Sequence, residues 1–122
     1  MAAAFLDTED YLAHQSPHQA TALRTVIAAV GGSFPELEIT LAWNVPHFRQ
    51  GKDYVVGLSA AEKWVSFSPW SKKVMGAFRE RLAGYSTTEN LIRIGLDRSI
   101  DTSLFVDLVA ARLDEIAFDS GL

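Results

Sequence analysis

Residues 39–70 constrain the fold more than any other stretch, because they hold all three tryptophans at positions of differing strand parity. Ile39, Leu41 and Trp43 alternate with Thr40, Ala42 and Asn44, the period of a strand with one buried face. Pro46 lacks the N–H that a ladder needs, so the strand is expected to bend, end or become an edge there. The chain resumes with His47, Phe48 and Arg49 and turns at Gln50-Gly51-Lys52-Asp53. Runs at 54–59 and 64–68 follow, joined by Ala60-Ala61-Glu62-Lys63 as in a hairpin. On this alternation Trp43 belongs with the core. Trp64 has the opposite parity to Val65 and Phe67, so one of those two sets points away from the main core. Trp70 adjoins Pro69 at a strand-to-helix turn, a rim position.

Helical patterns flank this sheet. Ser16 as cap, Pro17 in the first turn and Gln19 at the third position form a capping box. Ala20, Leu23, Val26, Ile27 and Val30 then give one apolar face, and Gly31-Gly32 ends the helix. Residues 1–15 carry Asp7, Glu9 and Asp10 ahead of Tyr11 and Leu12, which fits a short helix or a docked arm. A helix is expected over 72–82, with Val74 or Met75, then Phe78 and Leu82, facing inward. Residues 85–90 form a polar loop, and 91–96 read as one more strand with Ile92, Ile94 and Leu96 inward and Arg93 on the other face. The last helix has Asp101 as N-cap and Phe105, Leu108, Val109, Leu113 and Ile116 at helical spacing. The expected architecture is α+β: one domain over 1–122, an antiparallel sheet of about five strands, and the N- and C-terminal helices packed on one face.

The W-x-x-P-x-F core of Trp43, Pro46 and Phe48, the turn holding Gly51, the V-x-F strand of Val65 and Phe67, and the later LAGYSTTENLIRIGLDRSID resemble the YdhG-like family of small domains. The likeness spans roughly residues 23–116. It implies an α/β sandwich likened to frataxin, and one bacterial member of the family has been proposed as an iron chaperone. Asn44 departs from the pattern, standing where a glycine is expected. In the frataxin likeness iron is held by acidic residues on the first helix and the adjoining sheet edge, yet 17–30 contains no Asp or Glu. The carboxylates left for that alternative are Asp107, Asp114 and Glu115 on the last helix, besides those before residue 11.

Composition removes several classes of function. No cysteine is present, which excludes disulfides, thiolate catalysis and thiolate-held metals. Net charge of −4 argues against a nucleic-acid surface. No apolar run approaches the roughly 18 residues of a membrane span, and the first ten residues lack a basic leader, so the expected location is cytoplasmic. No phosphate-cradling glycine loop, G-x-S-x-G elbow or H-E-x-x-H pair occurs. His14 and His18 stand four apart, but the helix begins between them and they share no face.

What remains is aromatic. A groove bounded by Trp64, Trp70, Phe48, His47 and Tyr54, with Trp43 and Arg93 as further contacts, is the candidate binding site. Beside the proline His47 offers an imidazole for hydrogen bonding or proton transfer, and Arg93 offers a fork of donors to an anion. The expectation is a non-enzymatic binding domain for a small molecule or protein partner, without a cofactor. A second copy covering the rings is the alternative occupant, and iron handling the alternative function.

Overall fold

Two-residue alternation governs the middle of the chain, and the strands fall where it puts them. The computed structural model describes residues 4–97 and 99–119. β1 (Glu38–Ala42), β2 (Val45–Gln50), β3 (Asp53–Ala60), β4 (Trp64–Ser68), β5 (Ser86–Thr87) and β6 (Ile92–Gly95) form one antiparallel sheet in the order β1-β2-β3-β4-β6-β5. Its helices are α1 (Thr8–Ala13), α2 (Pro17–Ser33), α3 (Lys72–Ala77) and α4 (Thr102–Asp119). The α+β class agrees with expectation. The sixth strand is Ser86–Thr87, two residues inside what reads as a polar loop.

Register defines the faces, because residues paired across antiparallel strands point to the same side. Phe48 pairs with Val56, Leu58 with Phe67, Val65 with Ile94 and Phe67 with Ile92. All seven are buried, and Phe67 meets Phe105 of α4 with ring centroids 4.9 Å apart. This is the helix-bearing face, and all four helices place their buried side chains in its single core. The second face reads His47–Gly57–Ser68 in one row, Ser59–Ser66–Arg93–Ser86 in the next, and Trp64–Gly95 in the last.

Local chemistry accounts for the element ends. The capping box of Ser16 and Gln19 is present, and the buried Gln19 amide also donates to the Ala61 carbonyl. α2 continues three residues past Val30, through both glycines to Ser33. The Phe34 N–H still reaches the Val30 carbonyl at 2.9 Å, so packing of the fully buried Val30 outweighs the roughly 1 kcal/mol that each glycine costs a helix. α3 is shorter than the 72–82 pattern suggests. After Gly76 the bonds tighten to three-residue turns, Arg79 to Gly76 and Ala83 to Glu80, while Leu82 still reaches the core. The N-terminal segment is a true helix, capped by Asp7 and anchored by Tyr11, whose hydroxyl accepts the Ala60 N–H at 2.8 Å.

Pro46 does not end its strand. It pairs with Leu41 of β1, while the ladder from β2 to β3 begins only at His47. With one neighbour there, the missing N–H costs the sheet nothing on the other side.

Candidate functional site

The site begins at a tight turn. Ala42 and Val45 close the β1–β2 hairpin, leaving Trp43 and Asn44 as its two loop residues, with φ of 50° and 62°. Positive φ at both positions is what a primed hairpin turn requires, and Asn-Gly is its usual sequence. Asparagine tolerates this backbone, which explains how it stands where a glycine is expected. Its Oδ1 also accepts the Phe5 N–H at 2.9 Å, tying the N-terminal arm to the turn. Tryptophan at φ 50° carries the ordinary left-handed penalty of about 1–2 kcal/mol. The turn reverses the alternation, so Trp43 is not a core residue as its parity suggests. It is 68% exposed.

Trp70 repeats the anomaly. With φ of 56° it swings the chain from β4 into Ser71, whose side chain caps α3 by accepting the Val74 N–H at 3.0 Å. Trp43, Trp70, Tyr54 and His47 converge: all six centroid separations among these four rings lie between 5.2 and 5.8 Å. Tyr54 stacks on Trp70 at 23°. His47 is 4% exposed and forms the floor, whereas Trp70 is 42% exposed. Separations this short are ring contact, so nothing fits between the rings, and the expected groove is here a solid aromatic platform.

His47 is held from two sides. Its Nδ1–H donates to the Val45 carbonyl at 3.1 Å, which leaves Nε2 as the lone-pair nitrogen of the neutral ring. Nε2 lies over Gly57, where an added Cβ would stand only 2.6 Å away. Gly57 therefore permits the imidazole to lie flat against β3, a requirement not evident from the sequence. Burial pushes the His47 pKa below the ordinary histidine range, opposed in part by the bond to Val45. The folded protein thus keeps the ring neutral where the unfolded chain, titrating near about 6.5, takes up a proton. Stability from this residue is complete above about pH 6.5 and declines as the pH falls through that value toward the lower folded pKa. Urea midpoints measured at pH 7.5 and 5 should therefore separate more for the natural chain than for His47→Gln; equal separations would contradict this.

Beneath the platform, α4 supplies a clamp. Arg112 donates through Nη2 to the Tyr54 carbonyl at 3.0 Å and through Nη1 to Glu115 at 2.7 Å, while Glu115 accepts the Ser71 hydroxyl at 2.9 Å. One half-buried ion pair thus braces the strand at Tyr54 and the residue following Trp70.

The other expected site residues lie elsewhere. Phe48, adjacent to His47 in the strand, necessarily points to the opposite face and is buried in the core. Trp64 and Arg93 share the second face with the platform but contact each other, the guanidinium carbon 5.3 Å from the indole centroid. Asp107 is paired with Arg81 at 2.7 Å, Glu115 is occupied as above, and Asp114 is exposed. These three carboxylates do not converge, and no group of three or more His, Asp or Glu side chains among the described residues is placed to hold a metal. Among the described residues no helix is long and apolar enough to cross a membrane.

No family model matches the chain. It is similar to the protein named intracellular iron chaperone frataxin of Bacillus subtilis strain 168, with 30% identity over 87 residues, 69% of each chain. Among solved structures it resembles YdhG of Bacillus subtilis, described as a DUF1801 family protein, with a TM-score of 0.84 and 25% identity over 89% of this chain and 90% of that one. An uncharacterized conserved protein from Lactobacillus casei shares the fold, with a TM-score of 0.59 and 23% identity over 88% and 89% of the two chains.

Proposed function

The chain belongs to the YdhG-like (DUF1801) family of small α+β domains, and from that premise we propose that it is a non-enzymatic recognition domain of the cytoplasm whose aromatic platform receives a protein segment. One observation carries this reading. Both tryptophans that adopt left-handed backbone meet in one cluster, and both stay exposed, Trp43 the more so. Strained backbone and an exposed indole each work against folding, so the arrangement is better explained by what it contacts than by what it stabilises. Since nothing fits between the rings, an occupant lies across their outer faces, which suits an extended peptide better than an enclosed metabolite.

Trp43→Gly provides a clean test. Glycine removes the left-handed penalty while the lost indole is mostly exposed, so stability in urea should stay within about 1 kcal/mol of the natural chain. Peptide display should then enrich sequences on the natural chain that Trp43→Gly does not retain, and those peptides should move the Trp43 and Trp70 indole resonances. A selection that enriches the same sequences on both proteins would end the proposal. Concentration-dependent mass that disappears in Trp43→Gly would make a second copy of the chain the occupant.

The second reading is iron handling, favoured by the name of the Bacillus subtilis relative. The residues here fit it poorly, because Asp107 and Glu115 already neutralise arginines. Ferrous iron titrated against amide resonances tests it: saturable changes around Asp107, Asp114 and Glu115 would revive it, and an unchanged spectrum would remove it.

A further inference from the structure

We propose that a second site, the cleft at the β4–β6 end of the second sheet face, binds a small oxyanion, a carboxylate or phosphate monoester, carried on a flat apolar body. The cleft has a volume of about 350 Å³ and is lined by Lys63, Trp64, Tyr85, Ser86, Arg93 and Asp97, together with two glycines. That size lies within the range of small-molecule sites, roughly 300–1,000 Å³. None of the four platform residues lines it, so it stands or falls separately from the proposal above.

Charge is the main argument. The chain carries net −4, and Arg24, Arg49, Arg81 and Arg112 each hold a carboxylate. Among the described residues Arg93 and Lys63 hold none, as is also true of Arg79, Lys52 and Lys73 outside the cleft. Arg93 is nevertheless well ordered by its neighbours: its guanidinium lies over Trp64 and its Nη1 donates to the Ser86 hydroxyl at 3.0 Å. A guanidinium has five N–H donors in a fixed fork, so this arrangement leaves donors for a ligand while its plane is already set. The indole beneath offers an apolar surface for the ligand's body.

Asp97 gives the cleft polarity. Its Oδ1 would stand 3.1 Å from a Cβ on Gly95, so the glycine allows the carboxylate to lie close to β6. A lone carboxylate at the rim disfavours a second anionic group elsewhere on the ligand and accepts a hydrogen bond from an amine or hydroxyl. The cleft is thus suited to a compound with one anionic group.

The test uses the full chain labelled with nitrogen-15, its indole N–H resonances assigned by single Trp→Phe variants. Benzoate and phenyl phosphate are titrated, with benzamide as the uncharged control. Saturable movement of the Trp64 resonance, with Trp43 and Trp70 unmoved, is the expected result. Loss of charged hydrogen bonds in Arg93→Ala should weaken binding by about tenfold or more, with Lys63→Ala weakening it less. Arg93→Gln, which keeps the first part of the aliphatic stem and an N–H donor without the charge, guards against a folding defect and should also bind weakly. Preference for benzoate assigns a carboxylate ligand, and preference for phenyl phosphate assigns a phosphate. Benzamide binding as tightly as benzoate and phenyl phosphate, or Arg93→Ala binding unchanged, would overturn the proposal.

Discussion

Phe105→Ala is expected to destabilise the domain by about 3–5 kcal/mol, the range for truncating a buried phenylalanine to alanine. Phe105 is fully buried and joins three parts of the molecule: α4 to which it belongs, Phe67 in β4 at 4.9 Å, and Tyr85 ahead of β5 at 6.0 Å. Tyr85 approaches edge-on at 83°, so the alanine would open a void between β4 and the turn ahead of β5. Domains of this kind have total stabilities of about 5–15 kcal/mol, so a large part of the margin would go. In urea the midpoint should drop steeply with an unchanged slope, whereas Phe105→Leu should lose much less. A loss below about 1 kcal/mol for the alanine variant would mean that the core closes around the gap, contrary to the packing described.

Gly57→Ala is the second large effect, and it acts on the platform. The new methyl would meet His47 Nε2 at 2.6 Å, closer than real Cβ atoms come, and Cδ2 at 3.1 Å, tighter than most such contacts. An exposed ring could swing aside. This one is wedged under Trp43, Tyr54 and Trp70 and bonded to Val45, so it can retreat only by lifting the others. Overpacking of this kind costs about 1–3 kcal/mol. The same methyl in a His47→Ala background meets no ring, so the double variant should lose less than the sum of the two single losses, with a coupling of about 1 kcal/mol or more. Additive losses would show that Gly57 is needed for some reason other than the imidazole. The indole resonances of Trp43 and Trp70 should move in Gly57→Ala, and that shift would report the platform itself.

How legible these features are in the sequence depends on how local their causes are. The capping box at Ser16 and Gln19 is a contact between residues three apart, and it reads directly. Strands β3, β4 and β6 follow from alternation, as does the opposition of Trp64 to Val65 and Phe67. Trp43 misleads because the alternation runs through it without a break. The turn there lacks the Asn-Gly signal, and only the closure of Ala42 on Val45 shows where the strand ends. Phe48 could have been separated from His47 beforehand, since neighbours in a strand cannot share a face. Gly57 could not: that a glycine in one strand makes room for a histidine in the next is a matter of register, and register is not written in either segment alone. The clamp of Arg112 on Tyr54 and Glu115 is equally remote, joining a helix to a strand far away in the chain.

The hydrogen bond from Phe5 to Asn44 bears on how the protein is best handled. Phe5, ahead of α1, is fastened through the Asn44 side chain to the two-residue loop that holds up Trp43. An affinity tag or fluorescent carrier fused ahead of Phe5 would be tethered beside the aromatic platform, able to pull on that loop or mask it. Attachment after α4 keeps the load off this anchor, and a difference in apparent affinity between the two fusions would measure how firmly the arm sets the loop.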